Sequence, residues 1–576
     1  MDNPETHARA TCIAITGSGG SGAVTTGLIL LAAVARAGHY GLLTRSAGPQ
    51  IRGGESAAMV RFGPRRVECM GDRFDILVGL DWSNVDRFVD ELPLDARSLI
   101  LTDAKGEPVP EVLTRSGAAV RQLPLKEIAD GVADGRLNMV ALGTLGALAG
   151  LPLSALEHGA RTTIGTKGGN LLQGALQCIG AGYRLTLDGA DAAGDAPISL
   201  ASAERWNISG NEAAGLGALR GGVRFVAAYP ITPASEMLEW LAPHLELVGG
   251  SLLQAEDELA SVNMIIGASF GGVPSLTATS GPGLSLMMEG LGLAVASETP
   301  VVVANVQRGG PSTGIPTKSE QSDLNIALYG LHGDAPHLVL AALSIPDCAL
   351  TFQWAVRLAE HLQATAIVLS DQLLGQSRAI VDPPAQFRGA LERWVEHKPA
   401  DDYRRYAVTA DGISPMTLPG TPAGMYTADG LEHGPKGTPS SMARDHQAQL
   451  AKRLRKLRDF DYGPQWGEVR GTGPNCLLTW GSAAGAVFEA TERLTGAGIP
   501  TRAVALRLIA PLPQRDLAQA LDGVSTILVV EQNQGGQLFH YLHAEQALPP
   551  WARSLARPGP LPLKPGEIVQ ACSEVD

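Results

Sequence analysis

The sequence lacks the features that mark several common protein classes. Its 576 residues include only six cysteines, which lie far apart and form no Cys-x-x-Cys pair. This spacing excludes a disulfide framework, and it excludes a zinc site or iron–sulfur cluster built from such pairs. Basic residues are in deficit, since 45 Lys and Arg against 58 Asp and Glu give a net charge of −13, which disfavours nucleic-acid binding. We therefore expect small molecules and other proteins as partners, and no metal site on this chain.

Signals for targeting or membrane insertion are also missing. The polar segment 1–11 has no basic region ahead of the apolar run that follows Cys12, so we interpret it as the approach to a first strand. Residues 137–156 carry no charge and are numerous enough to cross a bilayer, but three glycines and Pro152 interrupt them. We predict two helices packed in a core, and a cytoplasmic protein with reduced thiols and no membrane partner.

What the sequence does contain is a repeated alternation of strand and helix patterns, which predicts a multidomain α/β protein. At about 150 residues per domain, the length corresponds to three or four domains. We place α/β domains at 1–195, 205–382 and 474–576, with a linker that includes one helix at 383–473. In the second domain, short β-branched strands alternate with helices, which predicts a parallel sheet covered on both faces.

The helix in the linker is unusually basic. The pattern 442–460 carries six Lys and Arg residues. We interpret them as a solvated helix face, in preference to an anion or partner site.

A glycine turn at 17–22 follows the first strand pattern and precedes a helix pattern. Its Gly-x-Gly-x-x-Gly spacing is the first half of a dinucleotide-binding motif, in which amides at a helix N-terminus bind a pyrophosphate. The second half is absent, because no acidic residue follows about 20 residues later, and no Gly-Lys-Ser/Thr forms a P-loop. A nicotinamide or flavin site stays open as an alternative, beside a tight turn or an anion pocket formed with Arg45 and 52–55.

Four motifs in the second domain lie where an open parallel sheet binds its ligands, after its strands. In the first, 229–233, the sequence is Tyr-Pro-Ile-Thr-Pro, and we predict Thr232 as the cap of the next helix with Pro233 at the first helical position. The second, 254–258, ends in three acids. Acidic residues in the first turn of a helix usually lie at the surface, where they interact favourably with the helix dipole. A buried acid can instead accept a hydrogen bond from a ring nitrogen and so keep a proton on that nitrogen. The third is the glycine loop 277–283.

The fourth motif, 307–318, places Arg308 in a glycine-rich loop with several hydroxyl side chains. A guanidinium in such a loop suits a planar carboxylate, which it binds through two charge-assisted hydrogen bonds. An ordinary surface salt bridge would not require this loop.

In this order the motifs are recognisable, and the sequence resembles the α subunit of the 2-oxoacid:ferredoxin oxidoreductases, in the form whose γ domain is fused ahead of the α domain. The resemblance covers nearly the whole chain. It rests on the segments 208–212 (Ile-Ser-Gly-Asn-Glu), 229–233, 254–258, 277–283 and 307–317, and the turn 17–22 with 52–54 is similar to the start of the γ domain.

The resemblance implies a fold and a site. A γ domain would be followed by a parallel α/β domain that binds the pyrimidine of thiamine diphosphate, and then by an α/β domain like the transketolase C-terminal domain. Glu258 and Thr232 would be catalytic, with Glu258 hydrogen-bonded to the aminopyrimidine ring. Arg308, Thr317 and Thr232 would bind the 2-oxoacid. The cofactor-binding residues would be Tyr229, Pro230, Ile231, Thr232 and Glu258.

One expected motif is missing, namely Gly-Asp-Gly followed some 25 to 30 residues later by Asn, which holds the magnesium and diphosphate of this cofactor. The resemblance therefore implies a β subunit that carries Mg²⁺ and a [4Fe–4S] cluster, in an (αβ)₂ assembly. The implied reaction is 2-oxoacid + CoA + oxidised ferredoxin giving acyl-CoA + CO₂ + reduced ferredoxin. It is reversible in principle, as in CO₂ fixation by a reductive TCA cycle. We expect 2-oxoglutarate as substrate, with pyruvate or a branched-chain 2-oxoacid as the alternative.

Two remote alternatives belong to other classes. An NAD-dependent dehydrogenase would need the acidic ribose-binding residue that the sequence lacks. A non-catalytic assembly subunit would have no reason to keep Glu258, Thr232 and Arg308 together.

Overall fold

The computed structural model describes residues 10–47, 54–187, 205–315 and 318–573. The chain divides into two compact units. The first comprises Met1–Ser209, Ser377–Pro383 and Lys564–Gly566, and the second comprises Gly210–Gln376, Pro384–Leu563 and Glu567–Asp576. Part of the anion pocket predicted around 52–55 lies outside the described residues.

Strands and helices alternate along both units. The strands are β1 (Thr11–Ser18), β2 (Tyr40–Ala47), β3 (Glu55–Gly63), β4 (Ile76–Gly79), β5 (Leu99–Asp103), β6 (Ala119–Leu123), β7 (Trp206–Ser209), β8 (Phe225–Ala228), β9 (Ser251–Gln254), β10 (Ser275–Thr279), β11 (Val301–Gln307), β12 (Leu338–Ala341), β13 (Thr365–Asp371), β14 (Arg378–Val381), β15 (Gly467–Gly471), β16 (Asn475–Trp480), β17 (Thr501–Leu506), β18 (Leu508–Ala510), β19 (Thr526–Glu531) and β20 (Arg553–Ala556). The α-helices are α1 (Ala23–Arg36), α2 (Glu111–Thr114), α3 (Leu125–Asp130), α4 (Leu137–Leu148), α5 (Leu153–Ile164), α6 (Gly169–Leu187), α7 (Gly210–Gly221), α8 (Ser235–Glu246), α9 (Glu258–Phe270), α10 (Gly281–Ala296), α11 (Leu324–Tyr329), α12 (Ile345–Leu362), α13 (Gln372–Gln376), α14 (Ala443–Arg458), α15 (Ala484–Gly496), α16 (Gln514–Ala520), α17 (Gln537–Ala544) and α18 (Pro565–Ser573).

The first unit is built on a mixed sheet of eight strands in the order β6-β5-β4-β1-β3-β2-β14-β7. The charge-free run forms two helices, α4 and α5, as predicted. Helix α4 is buried along almost its whole length and packs on α6. Gly143 and Gly182 allow this close approach, because a Cβ atom at either position would overlap the backbone of the opposite helix. Among the described residues, no helix is both long and apolar enough to cross a bilayer.

The second unit contains two sheets. Its seven-stranded sheet has the order β18-β12-β13-β11-β10-β8-β9, and the neighbouring strands from β12 to β9 are parallel. Every residue of β10, β11 and β13 is buried, as expected for a parallel sheet covered on both faces. Strand β18 adds to it antiparallel beside β12. The C-terminal sheet has the order β15-β17-β16-β19-β20 and is parallel except for β15. The predicted multidomain α/β fold is confirmed.

The basic helix α14 differs from the prediction. Lys452, Arg453 and Lys456 are buried rather than solvated. The amines of Lys452 and Lys456 each bond to one carboxylate oxygen of Glu298, at 2.7 and 2.8 Å, and Arg453 pairs with Glu432 at 2.8 Å. The interpretation as a solvated face was wrong because these acids lie far away in the sequence and are brought to the helix only by the fold.

The two lysines and Glu298 form a fully buried ion cluster, with Arg405 donating to the Glu298 backbone carbonyl at 2.8 Å. Burial alone would raise the pKa of the Glu298 carboxyl. The positive charges of Lys452, Lys456 and Arg405 outweigh burial and hold this pKa well below its usual range. Burial lowers the pKa of Lys452 to about 8, despite the opposing effect of Glu298.

Glu298→Gln should therefore destabilise the second unit, because it leaves two buried amines without a counter-charge. We expect the free energy of unfolding in urea at pH 7 to fall by about 3–5 kcal/mol. Since the pKa of Glu298 is lower in the folded chain than in the unfolded one, its contribution is present above about pH 4.5 and is lost at lower pH. The difference in unfolding free energy between the variant and the wild type should therefore become smaller at acid pH.

A matched control is Glu111→Gln, which breaks the exposed pair of Glu111 with Arg115. Such surface pairs contribute about 0–1 kcal/mol, so this variant should unfold almost like wild type. Equal losses of unfolding free energy in the two variants would show that the buried cluster stabilises the fold no more than a surface ion pair does.

Candidate active site

The topology of the seven-stranded sheet brings the four sequence motifs to one edge of the sheet, namely the edge formed by the carboxyl ends of its parallel strands. Strands β11, β10, β8 and β9 are neighbours and run parallel, so their carboxyl ends lie together. The turn 229–233 follows β8, Glu258 comes shortly after β9, the loop 280–283 follows β10, and Arg308 follows β11. This is the edge at which open parallel sheets bind ligands.

The turn after β8 is closed by a backbone carbonyl rather than by a threonine cap. The carbonyl of Ile231 accepts hydrogen bonds from the N–H groups of Ala234 and Ser235, at 2.8 and 3.1 Å. Helix α8 begins at Ser235 with Ala234 as its N-cap, so the prediction that Thr232 caps the helix was wrong. Thr232 instead lies exposed on the turn.

The three consecutive acids have different environments. Glu256 and Asp257 are exposed, and Asp257 caps α9 by accepting a hydrogen bond from the N–H of Ala260 at 2.7 Å. Glu258 is only 7% exposed, and among the described residues no donor bonds to its carboxylate. The side chain is largely buried while its carboxylate keeps its acceptor sites for a ligand, so Glu258 is the acid suited to bind one.

Gly283, in the first turn of α10, packs directly against this acid. A Cβ atom at this position would lie 2.6 Å from Cγ and 2.7 Å from Oε1 of Glu258, and it would also overlap Thr279. Glycine is therefore required here, because any larger residue would displace the carboxylate.

Arg308 reaches the turn after β8. Its Nη1 donates to the backbone carbonyl of Thr232 at 2.8 Å, while its Nε is buried and has no hydrogen-bond partner within the part of the chain that the structure describes. The guanidinium thus has free donor capacity beside Thr232. Thr317, predicted to act with Arg308, lies outside the described residues.

Sequence reasoning missed an acid at this edge, Asp323. Its carboxylate accepts a hydrogen bond from Nδ2 of Asn305 at 2.9 Å. Burial raises the pKa of this carboxyl, and the hydrogen bond from Asn305 and the charge of Arg308 oppose that shift. Asn305 could have been noticed from the sequence, because it is a polar residue between the apolar residues of β11 that precede Gln307.

Several buried polar atoms near the same edge have no hydrogen-bond partner among the residues that the structure describes. They are Oγ1 of Thr277, Oγ of Ser280, Oδ1 of Asn305 and Oγ of Ser322. Buried polar groups are normally paired, so a local concentration of unpaired ones marks a place where a ligand or ordered water completes the structure.

The N-terminal glycine turn has the predicted strand, turn and helix, but not a dinucleotide-binding topology. The strand after α1, β2, pairs antiparallel with β3, whereas β1 lies between β3 and β4. The N–H and Oγ of Ser18 both donate to the carboxylate of Asp81 at 2.9 Å. The protein's own acid therefore uses one of the amides that a pyrophosphate would need. A cavity of about 390 Å³ lies beside the turn, bounded also by Asn138 and Leu171.

Comparison with known proteins agrees with this architecture. Residues 216–452 match the family described as pyruvate flavodoxin/ferredoxin oxidoreductase, thiamine diphosphate-binding, and residues 12–185 match pyruvate ferredoxin/flavodoxin oxidoreductase. These matches place the chain in the class of oxidoreductases with a thiamine diphosphate-binding domain. The "2-oxoacid:ferredoxin oxidoreductase subunit alpha" of Saccharolobus solfataricus is 30% identical, and the alignment covers 93% of each chain. The chain belongs to the family of 2-oxoacid:ferredoxin oxidoreductase α subunits.

Two further relatives are informative. The structure of "2-oxoglutarate:ferredoxin oxidoreductase from Magnetococcus marinus with 2-oxoglutarate, coenzyme A and succinyl-CoA bound" superposes with a TM-score of 0.89. It is 36% identical, and the match covers 98% of this chain and 99% of that one. The 2-oxoglutarate synthase subunit KorA of Methanothermobacter thermautotrophicus is 34% identical over 58% of this chain and 90% of its own.

Proposed function

We propose that this chain is the α subunit, with a fused γ domain, of a CoA-dependent 2-oxoacid:ferredoxin oxidoreductase that acts on 2-oxoglutarate. The observation that carries the proposal is the meeting, at one sheet edge, of two groups that lack full hydrogen bonding among the described residues. They are the carboxylate of the largely buried Glu258 and the guanidinium of Arg308 beside Thr232. The choice of 2-oxoglutarate is supported by the names of the Magnetococcus and Methanothermobacter relatives.

The residues present fit thiamine diphosphate. The Glu258 carboxylate is free to accept a hydrogen bond from a ring nitrogen, and Gly283 leaves space where a Cβ atom would displace that carboxylate. The turn Tyr229, Pro230, Ile231 and Thr232, which is exposed except for the half-buried Ile231, would complete the cofactor's binding surface. When bound, thiamine diphosphate supplies a nucleophilic carbon and accepts the electron pair left by decarboxylation.

This chain's own residues would then bind and orient the reactants. Arg308 holds the carboxylate of the 2-oxoacid, with Thr232 and Thr317 as hydroxyl donors, so that the keto carbon faces the cofactor. Glu258 holds a proton on the pyrimidine ring and thereby favours the reactive form of the cofactor. Per molecule of 2-oxoacid, one CoA is acylated, one CO₂ leaves, and two electrons pass to two ferredoxins.

A separate β subunit would complete the site. The chain lacks the Gly-Asp-Gly…Asn motif and paired cysteines, so we assign Mg²⁺ and the [4Fe–4S] cluster to that subunit, in an (αβ)₂ assembly. The purified single chain should accordingly be colourless and inactive. Co-purified with the β subunit, it should reduce ferredoxin only when a 2-oxoacid and CoA are both present.

The assay also tests the substrate. We expect a higher kcat/KM for 2-oxoglutarate than for pyruvate or a branched-chain 2-oxoacid. Turnover by the single chain would contradict the subunit assignment, whereas a preference for pyruvate would contradict only the choice of substrate.

Gly283→Ala provides a local test of the site. The added methyl group should push the Glu258 carboxylate out of place, and we expect kcat of the complex to fall about 10-fold or more with the fold retained. Gly292→Ala is the matched control, since it lies in the same helix with no atom within 4 Å of its Cβ position. If both variants retain full activity, the contact between Gly283 and Glu258 has no catalytic importance.

A further inference from the structure

Two hydrogen bonds bring together the ends of the segment between Arg308 and α11. The N–H of Gly309 donates to the carbonyl of Lys318 at 2.9 Å. Closer to the sheet, the backbone N–H of Asp323 donates to Oε1 of Gln307, at the end of β11, at 3.1 Å. The Gln307 side chain also donates through Nε2 to the carbonyl of Ser370 at 3.0 Å. The first bond closes the segment on itself, and the two bonds of the Gln307 side chain attach it to the seven-stranded sheet.

Between Lys318 and Asp323, the C-terminal sheet holds the segment through Gln321, which is fully buried. Its backbone N–H donates to the carbonyl of Gln532 at 2.8 Å, and its backbone carbonyl accepts from Nδ2 of Asn533 at 3.2 Å. Its side chain donates to the carbonyl of Trp480 at 2.9 Å and accepts from the N–H of Gln532 at 2.8 Å. All four of these bonds go to the ends of β16 and β19.

The partners of Gln321 are themselves rigidly held. The carboxylate of Glu531 accepts hydrogen bonds from Nδ2 of Asn533 at 2.6 Å and from the N–H groups of Leu538 and Phe539 at 2.8 and 3.1 Å. These bonds tie the end of β19 to the first turn of α17. The Gln532 side chain donates in addition to the carbonyl of Ser319 at 3.2 Å. The residues of the C-terminal sheet that bond to the segment are therefore themselves held in place.

We propose that Gln321 is a positioning residue, through which the C-terminal sheet holds the Arg308 segment in the conformation that binds the 2-oxoacid. The inference rests on the proposed role of Arg308. Removing the side chain leaves the N–H of Gln532 and the carbonyl of Trp480 without partners. The two backbone bonds of Gln321 remain, so the segment loses half of this attachment and becomes looser twelve residues after Gly309. The guanidinium then samples more orientations, and fewer of them suit a carboxylate.

Gln321→Ala tests the proposal in the complex with the β subunit and, separately, in the full chain. We expect the KM for 2-oxoglutarate to rise at least fivefold, with kcat reduced no more than about twofold and the KM for CoA unchanged. In the full chain, trypsin should cleave after Lys318 at least fivefold faster than in wild type. If the alanine variant does not fold, Gln321→Met keeps the side-chain volume and removes the same hydrogen bonds.

The control is Asp347→Asn, which weakens another buried contact, between helix α12 and the C-terminal region. Asp347 pairs with Arg507 at 2.7 Å and also bonds to Thr351 and the N–H of Leu343. This variant should lower the melting temperature while leaving the KM for 2-oxoglutarate and cleavage after Lys318 unchanged.

The outcomes are distinguishable. The positioning role is overturned if Gln321→Ala leaves both the KM and the cleavage rate as in wild type, or if Asp347→Asn changes them equally. A wild-type complex without 2-oxoacid turnover would refute the proposed function, and cleavage after Lys318 would still decide whether Gln321 anchors the segment.

Discussion

Replacing Glu258 by Gln should reduce kcat of the complex by about 10²-fold or more, while the protein stays folded. The amide keeps the size of the side chain but cannot provide the charge-assisted hydrogen bond that favours the reactive form of the cofactor. Losses of this size are typical for a positioned proton-transfer group. Steady-state ferredoxin reduction at saturating 2-oxoglutarate and CoA measures the effect, and circular dichroism verifies the fold.

The neighbouring acids provide the controls. Glu256→Gln and Asp257→Asn alter exposed side chains, and asparagine replaces aspartate well as a helix N-cap. Both variants should keep nearly full activity. Equal losses in all three variants would mean that Glu258 is not the acid that acts on the cofactor.

Replacing Arg308 by Lys should raise the KM for the 2-oxoacid. Lysine preserves the charge but loses the planar group that can donate to Thr232 and bind a carboxylate at the same time. A charge-assisted hydrogen bond contributes about 1.5–3 kcal/mol, which corresponds to a rise in KM of roughly 10- to 150-fold. Initial rates measured over a range of 2-oxoglutarate concentrations give the value.

The same experiment separates two roles of this arginine. If Arg308 binds the substrate carboxylate, the KM for CoA should barely change. A variant whose saturation by CoA is weakened, with an unchanged KM for 2-oxoglutarate, would instead place Arg308 at a CoA phosphate.

The sequence predicted well those features that are encoded locally. Strands β8, β10, β11 and β13 follow from short runs rich in β-branched residues, whereas β9 and β12 were not predicted. The end of a parallel strand is a ligand-binding position whatever the ligand. The three acids after β9 were a recognisable cluster. Their order decided which one is buried, because Asp257 caps α9 and Glu258 then turns inward.

The features that the sequence did not predict depend on distant contacts. Lys452 looked like a solvated residue, yet its partner Glu298 lies 154 residues away. Gln321 gave no local signal, because its side-chain bonds go to residues 159 and 211 positions further on. The local sequence pattern does not contain these pairings. Thr232 is the exception, because its error is local: its residue type suits a helix cap, but the carbonyl of the neighbouring Ile231 closes that turn.

The central claim is that this chain supplies Glu258 and Arg308 to the decarboxylation of a 2-oxoacid. The most direct test is the release of labelled CO₂ from 2-oxoglutarate labelled in its 1-carboxyl group, by the complex with thiamine diphosphate, Mg²⁺, CoA and oxidised ferredoxin. We predict one labelled CO₂ per acyl-CoA formed, with release slowed about 10²-fold or more by Glu258→Gln. Absence of label release by the wild-type complex, or equal release by wild type and Glu258→Gln, would contradict the claim.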